Sequence, residues 1–238
     1  MRKLIFAIPF LFSTILLSAQ NTVIRDPHAE ARTVGSFTAI EVSNGIDLVI
    51  KQGSENAVAV SASTPEIRSR LKTEVANGKL KIYFDSYGWH NNTTKKELKA
   101  YVSIKDLEKL DANSGADVNT DGNINVDNLD ITLSSGADFE GNVTTASLNI
   151  HLSSGSDMSI KGKVSDLTVS TSSGSDFSGY ELVSENCKAD ASSGSDIEIT
   201  VNKTLKASAS SGGGIEYKGS GVITDVSNSS GGKVKKQG

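Results

Sequence analysis

Apolar and polar residues alternate one by one along most of this chain, and through its second half the alternation returns with a fixed period. Seven short turns mark the period by their glycines, Gly115, Gly136, Gly155, Gly174, Gly194, Gly212 and Gly231, each preceded by a serine. Seven positions before the glycine stand Leu129, Leu148, Leu167, Cys187 and Leu205, and five before it Leu110, Ile131, Ile150, Val169, Ala189, Ala207 and Val226. Three before it are Ala112, Leu133, Leu152, Thr171, Ala191 and Ala209, while Asp130, Asn149, His151, Lys188 and Lys206 occupy positions between these columns. Three positions after the glycine another apolar column reads Val118, Phe139, Met158, Phe177, Ile197, Ile215 and Val234. A period of two sends alternate side chains to opposite faces of an extended strand. Each turn is therefore expected to join two strands with one face inward.

The marker glycines are 21, 19, 19, 20, 18 and 19 residues apart. Like residues at like positions in such regular units predict stacking, since each residue then lies on its counterpart in the next unit. The expected fold is all-β, a parallel β-helix or solenoid with two or three short strands per rung and rungs roughly 4.8 Å apart. A β-sandwich also has many short strands, but it requires no register of similar residues from unit to unit. The repeat solenoid is assigned to residues 108–238, an irregular β-rich portion to 34–107, and a flexible start to 20–33. Within the irregular portion, strands are expected at Ala39–Val42, Ile46–Ile50, Ala57–Val60, Leu71–Val75, Lys79–Phe84 and Ala100–Ile104, with Asn77-Gly78 as a hairpin turn. The one helical signal is Pro65–Leu71, capped by Thr64. An end rung has no neighbour to bury it, so this portion either closes one end of the solenoid or forms a separate lobe.

Composition adds an address. Met1-Arg2-Lys3, the apolar run Leu4–Leu17 and the small-residue site at Ala19 have the form of a secretory signal peptide over residues 1–19. That run is short for a membrane span and contains Pro9, so no stable span is expected after cleavage. Losing Arg2 and Lys3 takes the formal net charge from −4 to −6, which argues against nucleic acid as a partner. The single cysteine, Cys187, excludes an internal disulfide framework and falls in a leucine column, as a small buried hydrophobe would.

Three groups of residues could carry chemistry. Asp117, Asp138, Asp157, Asp176 and Asp196 each stand two positions after a turn glycine. Carboxylates one rung apart repel by about 1 kcal/mol even at the dielectric of water. Hydrogen bonds from each aspartate's own turn backbone would offset this, which is the favoured reading. The other is a hard cation such as Ca²⁺ held between carboxylates and serine hydroxyls. The polar segment Asp85–Thr94 contains Tyr87, Trp89 and His90, aromatic faces among amides and hydroxyls suited to stacking on sugar rings. The simpler reading is a loop held over an end of the core by its aromatics. The many serines offer no nucleophile, because His28, His90 and His151 fall in no Ser-His-Asp arrangement. An aspartate repeated on every rung suits scaffold chemistry better than a unique catalytic centre, so no catalytic residue is assigned.

Phe37–Ile50, followed by the Ser-Gly-Ala-Asp and Ser-Gly-Ser-Asp turns, resembles the bacterial head GIN domain family, labelled "putative auto-transporter adhesin". The resemblance runs from about Val34 to Val234, with Gly45-Ile46-Asp47 where the family's name suggests Gly-Ile-Asn. It implies a secreted β-helical domain of the Gram-negative envelope, in the periplasm, on the outer surface or outside the cell. The implied function is a non-enzymatic adhesin or glycan- and surface-binding module whose partner is a cell-surface glycan or an envelope protein. An envelope scaffold for protein partners is the alternative, a glycan-active enzyme ranks third, and oligomerisation is left open.

Overall fold

The computed structural model describes residues 26–90 and 95–237. The signal peptide assigned to residues 1–19 lies outside the described residues, as do residues 20–25 of the expected flexible start and 91–94 of the aromatic segment. In chain order come β1 Glu30–Arg32, β2 Ala39–Val42, β3 Asp47–Gln52, β4 Ala57–Ser61, α1 Pro65–Ser69, β5 Leu71–Ala76, β6 Lys79–Phe84, β7 Lys99–Ile104 and β8 Lys109–Ala112. Five long strands follow, β9 Asp117–Leu133, β10 Asp138–Leu152, β11 Asp157–Thr171, β12 Asp176–Ala191 and β13 Asp196–Ala209. The last are β14 Gly214–Lys218, β15 Val222–Asn228 and β16 Lys233–Lys236.

The repeats form a parallel β-solenoid. Phe139 lies beside Val118 and Met158, Leu148 beside Leu129 and Leu167, and Ile150 beside Ile131 and Val169, so the columns legible in the sequence are physical columns. One detail differs from expectation. Each complete rung is a single long strand rather than two or three short ones, bent where the register slips, as between Glu140 and Asn142 or Gly179 and Val183. Its first half lies on the ladder that includes β3, β7 and β14, and its second half on the ladder that includes β2, β6, β8 and β15. The inward columns of the two ladders make one core, in which Leu152, Val169 and Phe177 are buried. Fully burying each such side chain is worth about 1.5–3 kcal/mol.

The turns follow from two consecutive left-handed residues. Ser154 has φ 58° and Gly155 φ 68°, and each Ser-Gly pair in the array repeats this geometry, which is that of a type I′ turn. The turns stack as the strands do, for the amide of Gly155 donates to the carbonyl of Ser173 at 3.1 Å. Ser156, Ser175 and Ser195, which follow their glycines, are buried. Their hydroxyls accept from the amides of Ser153, Ser172 and Ser192, all at 3.1 Å.

The portion before the repeats continues the same ladders. Ile40 pairs with Leu110, Val42 with Ala112 and Leu48 with Val118, and Asn44 and Gly45 have φ of 66° and 64°, so β2, its turn and β3 form another rung. Outside it, β6 and β7 lie parallel to β2 and β3. Then β5 and β4 reverse direction and pair antiparallel with β6 and β7. Helix α1 joins β4 to β5, its Ile67 buried and its first turn capped by Thr64 Oγ1 accepting from Ile67 N at 3.2 Å. Within the expected flexible stretch, β1 pairs antiparallel with β4, and Asp26 accepts from Tyr101 OH at 2.9 Å.

Candidate functional site

Position follows from register. Because each turn delivers its aspartate as the first residue of the next long strand, Asp117, Asp138, Asp157, Asp176 and Asp196 are brought side by side, all exposed. The row is longer than the repeat count indicates. Asp47 pairs with Asp117 at its head, Lys99 pairs with Asp47 beyond that, and at its foot Asp196 pairs with Gly214 and Gly214 with Lys233. Six carboxylates thus stand in line with a lysine column position at each end. Sequence reasoning missed Asp47 because the chain between Gly45 and Gly115 detours through β4, α1, β5, β6 and β7 before the period resumes.

The backbone of the row is held by inter-rung bonds, such as Asp138 N to Ala116 O at 2.9 Å and Asp157 N to Ala137 O at 3.2 Å. None of the row carboxylates accepts a hydrogen bond from its own turn, contrary to the favoured expectation. In the turns before Asp157, Asp176 and Asp196 an inward serine hydroxyl takes that place, whereas the turns before Asp117 and Asp138 have Ala116 and Ala137 there. Partial burial, with the charge of Asp47 beside it, lifts the carboxyl of Asp117 above the usual range. Burial likewise lifts Asp157, and the charges of Asp176 and Asp138 add to it against one opposing backbone contact.

Two residues further along each strand a second outward row reads Val49, Asn119, Glu140, Ser159, Ser178, Glu198, Glu216 and Lys235. The two rows line an open groove of about 680 Å³ that runs from Asp47 to Asp176. Near its foot, burial and the charge of Glu216 raise the carboxyl of Glu198. Burial, Glu198 and Glu216 push Tyr180, whose hydroxyl donates to Glu216 Oε2 at 3.2 Å, up to about 12. Glu140, Glu198 and Glu216 gave no signal in the sequence because they do not recur on every rung. Among the described residues no group of three or more His, Cys, Asp or Glu side chains is arranged to hold a metal ion.

The aromatic segment takes the place of a Ser-Gly turn between β6 and β7. Trp89 packs against the core, its ring meeting Phe84 edge-on at 5.9 Å between centroids, with the Arg70 guanidinium 5.1 Å from its own centroid. Arg70 also donates to the carbonyls of Asp85 and Tyr87 at 3.1 and 2.9 Å, fastening the loop to the closed end. Tyr87 is 91% exposed, and His90 is exposed with its Nδ1 donating to Gly88 O at 2.8 Å. The structure does not gather these three side chains around one cavity. The loop's return arm, Lys95–Lys99, instead meets Asn44, Gly45 and Asp47 in a cavity of about 520 Å³ at the head of the acidic row.

Comparison with known proteins agrees with the architecture. The family described as "Putative auto-transporter adhesin, head GIN domain" matches residues 36–221. No curated protein matches. A crystal structure of a putative adhesin from Bacteroides fragilis superposes with a TM-score of 0.79 at 19% identity, over 88% of this chain and 96% of that one. A putative lipid binding protein from Parabacteroides distasonis gives 0.69 at 17% identity, over 90% and 98%. A putative adhesin from Parabacteroides merdae gives 0.68 at 17% identity, over 88% and 95%. At these identities the likeness establishes the fold, and the family match establishes membership: the chain belongs to the head GIN domain family.

Proposed function

We propose that this head GIN domain protein is a non-enzymatic adhesin of the cell envelope that lays its acidic groove along an extended glycan. The observation that carries this reading is the unbroken outward row from Asp47 to Asp196, bordered by Asn119, Glu140, Ser159 and Ser178 and open along its length. Carboxylates, amides and hydroxyls at a regular spacing can accept from and donate to the hydroxyls of a linear polymer over several rungs. A single-centre enzyme has no use for such repetition. The family's adhesin label supports the reading, as does the signal peptide read at residues 1–19. Among the described residues no helix is long and apolar enough to cross a membrane.

A glycan-array screen with Ca²⁺ and with chelator, on the wild type, Asp157→Asn and Trp89→Ala, tests this. Binding weakened by Asp157→Asn and unaffected by chelator supports direct contact through the row. Binding lost on chelation assigns the row a bridging cation, with water and sugar oxygens completing its shell. Binding lost only in Trp89→Ala, with that variant still folded by circular dichroism, moves the site to the Tyr87, Trp89 and His90 loop. Silence under all conditions refutes glycan adhesion and leaves the scaffold reading.

A further inference from the structure

The two ends of the solenoid differ. One is closed by α1, by the antiparallel strands β4 and β5 and by Trp89. At the other, β15 pairs with β13 and β16 with β14, and each keeps one edge free among the described residues. The interior columns run out to this end uncovered. Ala207 is 4% exposed, but its neighbour Val226 is 43% exposed, and Ile223, beside buried Leu205, is 37% exposed, while the outward-facing Val222 adds a further exposed apolar side chain. Free edges beside exposed apolar side chains pair readily with another strand.

Charge selects the strand. On β16, Lys233 and Lys235 occupy the outward positions that aspartate and glutamate hold on earlier rungs, and neither joins an ion pair among the described residues. Lys218 and Lys236 lie over the rings of Tyr180 and Tyr217 at 4.5 and 6.0 Å, adding positive charge to the same end. Two copies meeting with β16 on β16 would set lysine against lysine, which is unfavourable. The closed end of another copy presents the edges of β1 and β5, but these carry Arg32 and Lys72 beside Glu30 and Glu74 and so lack the run of carboxylates that Lys233 and Lys235 would face. A strand that alternates acidic and apolar residues, as Asp138-Phe139-Glu140 does within this chain, would place its carboxylates over Lys233 and Lys235. Apolar residues upstream of its turn would then cover Val226 and Ile223.

We propose that the open β15–β16 end is a docking site for a partner protein that contributes such an acidic, apolar-alternating strand, added as one more rung. This does not rest on the glycan reading, which uses a different surface. The test is fluorescence anisotropy with the purified protein and a labelled peptide carrying the sequence Asn128–Gly141, which contains an upstream apolar strand, a turn and the acidic strand. Saturable binding is expected, weakened about tenfold by Lys233→Glu with Lys235→Glu and by raised salt, since two exposed charge pairs are involved. Val226→Asp, at an exposed position, should weaken it with the fold intact by circular dichroism. Equal binding of a peptide carrying Asp138→Lys and Glu140→Lys overturns the charge argument. Absence of binding by a monomeric protein overturns the docking site, and dimerisation abolished by Val226→Asp reassigns this end to contact between copies.

Discussion

Neutralising one aspartate in the middle of the acidic row should stabilise the protein. Carboxylates one rung apart, at about 4.8 Å, repel by about 0.9 kcal/mol each in water, and physiological salt roughly halves this. Asp157 has Asp138 on one side and Asp176 on the other, so replacing it with the isosteric asparagine should gain about 1 kcal/mol at neutral pH. In a chain of this size that corresponds to a melting temperature raised by about 2–4 °C. Asp196, with Gly214 as its second neighbour, should gain half as much. Asp47 has Lys99 on its far side, so Asp47→Asn should gain nothing. The sign with pH follows from the raised carboxyl of Asp157. A raised acid favours its protonated form in the fold, so the cost of the row is absent below the ordinary value of 3.8 and appears as pH climbs through the folded value. Thermal melts followed by circular dichroism at pH 3 and pH 7, in low and high salt, measure all of this. Repulsion along the row is refuted if Asp157→Asn gains nothing at pH 7, gains as much at pH 3, or fails to outrank Asp47→Asn.

Other consequences are as direct. Gly155→Ala should cost only about 1 kcal/mol, the price of a left-handed alanine, because its added methyl meets nothing within 4 Å. Gly162→Ala should prevent correct folding of the rung, since its methyl would lie 1.9 Å from the carbonyl oxygen of Val143; urea melts of the two variants make the comparison. The Cys187 thiol, buried and pushed up to about 12, should stay unreactive towards a thiol reagent until the protein unfolds, and labelling in the native state would contradict the packing. Trp89→Ala should lower stability by about 2 kcal/mol, less than for a fully buried ring, because Trp89 is only partly buried against Phe84 and Arg70, and an unchanged denaturation midpoint would contradict a sealing role.

What the sequence disclosed and what it hid have one physical cause. Stacked units must place like residues on like, so the columns through Leu148, Ile150, Leu152 and Met158 were legible without coordinates, and so were the five aspartates that follow the turns. Asp47 belongs to the same row, but no period connects it, because the column is defined by hydrogen bonds between rungs and the chain may travel any distance before it returns to the ladder. Trp89 shows the converse. Its neighbours Ser86, Gly88 and His90 look like a binding loop, whereas the ring's surroundings are set by Phe84 and by Arg70, 19 residues away, which no local pattern announces. The serines misled less, since their repetition marked them as structural, yet only the coordinates show that in three turns the hydroxyls of Ser156, Ser175 and Ser195 do the capping expected of the aspartates. That exchange is the step that bears on function. Carboxylates that cap no turn of their own and are held outward, two of them, Asp117 and Asp157, raised by partial burial and by their neighbours' charge, keep their hydrogen-bonding capacity for something outside the chain.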